Sequence, residues 1–210
     1  MKTNNLLTFD KIKEIVKKDR HSILQESSYR YYSVMIPIIE IDAKLHILFE
    51  KRSENLINQP NEICFPGGCI EKGETPMEAA IRETTEELCI EKSEIEIYSE
   101  MPLLVAPFGT ILHSFVGKIS SFPKNHSKDE VSEIFTIPLK FFMDTPPEKH
   151  EINVKITPDD LFPYHYIEKG ASYKWGKGKY TVNFYFYGEK IVWGMTAKLL
   201  LELVNELKKG

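Results

Sequence analysis

The sequence predicts an α/β protein in which a mixed β-sheet lies between helices. Three observations predict it. Runs rich in β-branched and aromatic residues recur along the chain; one central and one terminal segment carry helical periodicity instead; and no internal repeat or low-complexity linker divides the 210 residues. That length holds one well-buried core with flanking additions. Residues 1–28 are expected to form a helical extension and residues 29–210 the domain proper.

Taken in order, Phe9 to Lys18 carries apolar residues at Ile12, Ile15 and Val16 with Asp10 as a cap, a short amphipathic helix outside the main core. From Tyr31 the run SVMIPIIEIDAKLHILFEKR reads as two strands with a hairpin turn at Asp42 and Ala43, and Pro37 argues for an edge or a bulge. A loop from Ser53 to Cys64 leads to Phe65-Pro66-Gly67-Gly68, a turn whose glycines admit close approach of backbone or ligand. Thr75-Pro76-Met77-Glu78 is a capping box with proline at the first helical position, so a helix starts there. IEIYSEMPLLV, TILHSFVGKIS and EIFTIPLKFF read as further strands, and Tyr180 to Val192 as a hairpin about Gly188 and Glu189. Met195 to Leu207 closes the chain as a helix whose stripe is Leu200, Leu203, Val204 and Leu207.

Composition excludes several classes. Hydrophobic residues are 42% and charged residues 28% of the chain, as in an ordinary folded domain rather than a disordered or collagenous one. The net charge of −4 argues against duplex nucleic acid as a partner. No run approaches the ~18 consecutive apolar residues of a membrane span, and the N-terminus is too broken by charge for a signal peptide. A cytoplasmic protein with reduced thiols at Cys64, Cys69 and Cys89 is expected. The six histidines show no HxxxH or HxH spacing for zinc, and neither a serine nucleophile elbow nor a Walker loop is present.

The informative segment is acidic. Residues 71–100 hold ten glutamates against two lysines and one arginine, a local charge of −7, so the remainder carries +3. In the central helix Met77, Ala80, Ile81, Thr84 and Leu88 recur as the core stripe, and Glu83, Glu86 and Glu87 are expected to crowd one side away from it. A solvated acidic face has this composition too. Clustered carboxylates beside a glycine loop, however, suit Mg²⁺ or Mn²⁺, which prefers oxygen ligands and is commonly shared between protein carboxylates and substrate phosphates. Arg82 can pair with Glu74 as a bidentate clamp between helix and loop.

Read as one string, Gly68 to Ile90 (GCIEKGETPMEAAIRETTEELCI) resembles the box of the Nudix hydrolases, G-x5-E-x7-R-E-U-x-E-E-x-G-U. It departs at Cys89, where the family has glycine, and at Thr84, where a bulky aliphatic is usual; Cys89 falls where a helix C-cap glycine would be, so it bears on the helix exit. The resemblance implies a Nudix α/β/α sandwich with Glu83 and Glu87 as metal ligands, Glu86 as a further ligand or water contact, and Glu74 as the partner of Arg82. It also implies hydrolysis of a nucleoside diphosphate linked to another moiety. The general base lies outside the box: Glu130 is the first candidate and Glu133 the second, with an ordinary surface role open for either.

Upstream, ILFEKRSENLINQPNEICFPGG resembles the coenzyme A pyrophosphatase branch. Arg52, Ser53 and Phe65 to Gly68 match its pattern, whereas Ile57 stands in place of an arginine and Asn61 in place of a glycine; Trp193-Gly194-Met195-Thr196-Ala197 resembles its W-G-x-T-A segment. By that likeness Arg52, Gly67 and Gly68 bind substrate, Arg52 reading an extra phosphate; a structural ion pair with a loop carboxylate is the other reading of Arg52. The aromatic stretch Phe162, Tyr164, Tyr166, Trp175 and Tyr180 can stack on an adenine or cover a pantetheine arm, or pack a core. The expected partner is a small nucleotide-containing metabolite, coenzyme A first and ADP-ribose or another nucleoside-diphosphate sugar second; a noncatalytic nucleotide sensor is the third reading, and a homodimer is compatible with all three.

Overall fold

A computed structural model describes residues 9–16, 28–107 and 109–209. The first element is α1 (Phe9–Val16). Asp10 falls inside it rather than ahead of it, and Lys17 and Lys18, expected in the same helix, lie outside the described residues.

The main sheet is built on β1 (Arg30–Ile41) and β2 (Lys44–Arg52). They are joined at Asp42 and Ala43, both at positive φ (50° and 57°). This is the tight hairpin turn whose twist matches its strands. β3 (Ile63–Cys64) and β4 (Gly67–Cys69) follow, then α2 (Pro76–Leu88), β5 (Ile95–Glu100), β6 (Leu104–Ala106), β7 (Thr110–Ile119) and β8 (Val131–Pro138). The order is β3-β2-β1-β7-β5, with β4 added to β1, β6 to β7 and β8 to β2. β1 runs parallel to β7 and antiparallel to β2 and β4, so the sheet is mixed.

Pro37 therefore sits in an interior strand, neither at an edge nor at a recorded bulge. It is tolerated where β1 changes partner, between the pairing with β4 that ends at Val34 and the pairing with β2 that begins at Ile38. No ladder hydrogen bond is asked of its missing N–H there. Leu139 to Phe142, expected to continue a strand, instead turn into α3 (Leu139–Asp144) directly after Pro138.

The chain then builds a second sheet that the sequence analysis did not anticipate. β9 (Glu148–Lys155), β10 (Lys177–Tyr187) and β11 (Lys190–Trp193) form an antiparallel three-stranded sheet, β10 and β11 turning at Gly188 and Glu189 as expected. β9 is exposed along nearly all its length, and its alternation is short, Ile152 and Val154 about Asn153 after a run of charged residues, a weak strand signal. α4 (Gly194–Leu207) ends the fold; it buries Leu200, Leu203 and Val204, whereas Leu207 is 43% exposed.

Two apolar layers flank the main sheet. Met35, Leu48, Leu88 and Ile119 pack on the α2 side. Ile36, Ile47, Phe49 and Val116 belong to the other cluster and pack with Phe142 of α3, Tyr185 of the small sheet and Leu200 of α4. This is the expected sandwich with a mixed sheet inside.

At its start α2 carries the full reciprocal capping box: Thr75 Oγ1 accepts from the Glu78 N–H and Glu78 accepts from the Thr75 N–H. Thr84 is fully buried, and its hydroxyl donates to the Ala80 carbonyl at 2.6 Å, so it stands in for an aliphatic residue without an unpaired polar group. Cys89 adopts the left-handed conformation (φ 50°, ψ 46°) at the helix exit. Because a side chain there costs on the order of 1 kcal/mol, Cys89→Gly should stabilise the protein by about that amount in urea denaturation. An unchanged or lower midpoint would refute the strain.

Candidate active site

The acidic helix meets the sheet differently from expectation. At about 100° per residue, Glu87 lies only about 20° around α2 from Ala80 and so belongs to the buried arc, not to a side away from it. Glu87 is 4% exposed, together with buried Ala79, Ala80, Thr84 and Leu88, while Met77, expected in the core, is 45% exposed. The helix already touches β1 at its first residue, where the Ser33 hydroxyl donates to the Pro76 carbonyl at 2.6 Å, and its buried side chains begin at Ala79.

What lets a carboxylate sit there is β4. The Gly67 N–H donates to Glu87 Oε2 at 2.8 Å. Glu83 lies over Gly68 so closely that a Cβ on that glycine would stand 2.3 Å from Glu83 Oε1. Gly67 and Gly68 thus form a short strand against β1 rather than a free turn, with two box carboxylates laid across it.

Arg82 organises the outer rim. Its Nε and Nη2 donate to the two oxygens of Glu74 (2.8 and 3.1 Å), Nη1 to Glu83 (2.8 Å) and Glu86 (3.3 Å), and Nη2 also to the Cys69 carbonyl (3.2 Å). Loop, helix and β4 are tied together by one guanidinium. Hydrogen bonds from Arg82 and from the Glu71 N–H hold the Glu74 carboxyl below its ordinary range.

Glu130 and Glu133 are separated by the fold. Glu133 accepts both oxygens' worth of hydrogen bonding from Lys190 Nζ (2.6 Å) and is not among the residues of the cleft. Glu130 lines the cleft, its loop docked by Ser53 N–H to the Glu130 carbonyl and by Ser127 N–H to the Glu87 carbonyl (both 2.8 Å). Its charge bears on Glu83 and Glu87.

The cleft encloses about 790 Å³. Its lining includes Glu83, Glu87, Gly67 and Gly68, Arg52, and the apolar side chains of Tyr180, Val182, Trp193 and Leu199 from the second sheet and α4. Arg52 donates from Nε to the Asn58 carbonyl (3.3 Å) and sits in the field of Glu62 and Glu50. Asn61 has φ 64°, so it supplies the left-handed turn that a glycine would. Ile57 is 98% exposed on the same loop. Of the aromatic stretch, Tyr180 faces the cleft; Phe162, Tyr164, Tyr173 and Trp175 pack edge-to-face on one another with centroids about 5 Å apart.

One residue escaped the sequence analysis. Glu50, at the end of the apolar run of β2, is 1% exposed and accepts from Cys64 Sγ at 3.3 Å. Its signal is faint: a lone carboxylate closing an Ile-Leu-Phe run.

Burial pushes Glu50 up to about 7, against the hydrogen bond from Cys64. Burial, then the charge of Glu50, pushes Glu87 up to about 9. Both groups titrate near 4.5 in the unfolded chain, so over this window the folded chain holds more protons. The stability this confers is present below about pH 4.5 and is lost as pH rises through about 7 and then about 9. Melting temperature in chelator should fall from pH 5 toward pH 9, and an added divalent ion should offset the fall increasingly as pH rises; parallel curves with and without the ion would contradict this.

Among the described residues no three acidic, histidine or cysteine side chains already stand at metal-ligand spacing. The donors nevertheless fit a hard divalent ion: they are carboxylate oxygens, crowded at the box, and one of them, Glu50 Oε2, is buried without a hydrogen-bond partner. Arg82 Nη1 engages Oε1 of Glu83 and the Gly67 N–H engages Oε2 of Glu87, so each carboxylate keeps its other oxygen for an ion.

Residues 30–160 match the NUDIX domain family model. The chain belongs to the Nudix hydrolase family. Among curated relatives it is similar to the mouse peroxisomal coenzyme A diphosphatase NUDT7, 31% identical over 142 residues that cover 67% of this chain and 60% of that protein. Nudix hydrolase 3 of Caenorhabditis elegans is 36% identical over 114 residues, 51% of this chain and 47% of that one. The chain thus spans about half to three fifths of these two relatives. A Nudix hydrolase NudL of Photorhabdus laumondii is 25% identical over 181 residues, covering 85% of this chain and 86% of that one. Among solved structures, a MutT/nudix family protein from Enterococcus faecalis aligns over 98% of this chain and 71% of its own with TM-score 0.53 at 13% identity, a likeness of Nudix fold. No described helix is long and apolar enough to cross a membrane.

Proposed function

We propose that this chain is a Mg²⁺- or Mn²⁺-dependent pyrophosphatase that cleaves the phosphoanhydride of coenzyme A or an acyl derivative. The observation that carries the reading is the gathering of Glu83, Glu87, Glu130 and Arg52 in the lining of one cleft. Glu83 and Glu87 would hold the ion, with Glu86 beside them. When bound, it supplies neutralisation of the diphosphate charge and activation of the attacking water. Glu130 takes the proton of that water at its carboxylate as the oxygen bonds to phosphorus and the anhydride oxygen leaves as phosphate. From coenzyme A the products are 4′-phosphopantetheine and 3′,5′-ADP.

Arg52 would pair with the 3′-phosphate, and the wall of Tyr180, Val182 and Leu199 would lie along the pantetheine arm. A relative named as a coenzyme A diphosphatase supports the substrate. Ile57, where the coenzyme A branch has arginine, favours a second reading, an ADP-ribose or other nucleoside-diphosphate sugar. Action in the cytosol on a small molecule completes the proposal.

The test is a panel of coenzyme A, dephospho-coenzyme A, ADP-ribose and dinucleotides with each metal, products resolved by mass. Coenzyme A should be cleaved fastest, and Arg52→Ala should lower kcat/KM for it but not for its dephospho form. Preference for ADP-ribose selects the second reading; turnover of nothing selects a nucleotide sensor.

A further inference from the structure

We infer that Glu50, outside the Nudix box, is a further carboxylate ligand of the divalent ion held by Glu87. The inference rests on the metal reading above.

Glu50 ends the apolar run of β2, opposite Cys64 of β3. Cys64 lines the cleft, and Glu50 is buried behind it. One carboxylate oxygen accepts from Cys64 Sγ at 3.3 Å; the other, Oε2, is buried and meets no donor. Leaving such an oxygen unpaired inside a protein is costly, and native folds rarely do so without a reason.

The surroundings narrow the reason. The acidic groups whose charge acts on Glu50 are Glu83 and Glu130, and Glu50 acts in turn on Glu87. All of these are acceptors. None of the nearby donors meets Oε2: the Gly67 N–H is given to Glu87, Arg52 Nε to the Asn58 carbonyl, and Arg82 to Glu74, Glu83 and Glu86. Glu50, Glu83, Glu87 and Glu130 are four carboxylates, and two guanidinium groups stand against them: Arg82, which is bonded to Glu83, and Arg52, whose charge acts on Glu50. A hard divalent cation matches both the remaining excess of negative charge and the all-oxygen donor set, and among its about six oxygen ligands a further protein carboxylate can take a place otherwise filled by water.

The test reads binding, not turnover. Free Mn²⁺ is followed by electron paramagnetic resonance while wild type, Glu50→Gln and Glu87→Gln are titrated, with circular dichroism as the check on folding. Glu50→Gln should bind Mn²⁺ at least about tenfold more weakly, or lose one ion, with its spectrum unchanged. Wild-type affinity and stoichiometry in Glu50→Gln, with binding lost in Glu87→Gln, overturns this inference and leaves the metal reading standing. Unchanged binding in both variants overturns the two together. If Glu50→Gln does not fold, a manganese anomalous map of the wild-type protein decides: an ion about 2.0–2.3 Å from a Glu50 oxygen is expected. An ion whose ligands exclude Glu50 overturns it.

Discussion

Glu87→Gln should lower kcat by about a thousandfold while leaving the metal-free fold intact. The loss follows from the several kcal/mol of charge stabilisation a bound ion gives a diphosphate, at 1.36 kcal/mol per factor of ten. The intact fold follows from the site. Glu87 is 4% exposed, and its proton is held up to about 9, so near neutrality the folded metal-free chain carries a neutral acid that an amide closely mimics. The amide oxygen can still accept from the Gly67 N–H, and the variant is spared the cost of burying a charge at high pH. Kinetics paired with thermal melts in chelator check both halves. Near wild-type kcat would refute a ligand role, and a melting point lowered by many degrees would mean that the carboxylate serves the fold instead.

The largest effect on stability is expected at Gly67. A Cβ there would stand 2.3 Å from the Ser33 carbonyl oxygen and 2.6 Å from Val34 Cα, both backbone of β1, which cannot swing aside as a side chain can. Gly67→Ala must open the β1–β4 pairing at Val34 and carry away the N–H on which Glu87 rests. A cost of about 3 kcal/mol or more is expected, which for a chain of this size lowers Tm by roughly 6–12 °C. Gly178→Ala, with nothing within 4 Å of the added carbon, is the control and should stay within about 0.5 kcal/mol. Gly68→Ala separates the two roles of the motif. Its Cβ meets the Glu83 carboxylate, which can move, so stability should change little while activity falls. Equal Tm for Gly67→Ala and wild type would show that β4 is not held against β1 in this way.

These two glycines also mark how far the sequence alone reaches. The capping box, the turn at Asp42 and Ala43, and the Arg82–Glu74 pair are set by residues close together in the chain, so local chemistry announces them. Glu87 could have been placed on the buried arc by helix angle, yet its charge argued for solvent; β4 supplies the donor that reverses that argument. Pro37 looked like an edge residue because the change of partner along β1 is a property of the assembled sheet. β9 and Glu50 were harder still. The strand is exposed along nearly all its length and defined by pairing with β10, and Glu50 acquires meaning when β3 pairs with β2 and sets Cys64 against it.

The central claim, that Glu83 and Glu87 together hold a divalent ion against a diphosphate, is tested most directly by crystals grown with Mn²⁺ and a nonhydrolysable diphosphate. A manganese anomalous peak bridging Glu83, Glu87 and the diphosphate, with Arg82 still on Glu74, is the predicted result. Manganese bound away from both carboxylates, or at neither, would contradict it.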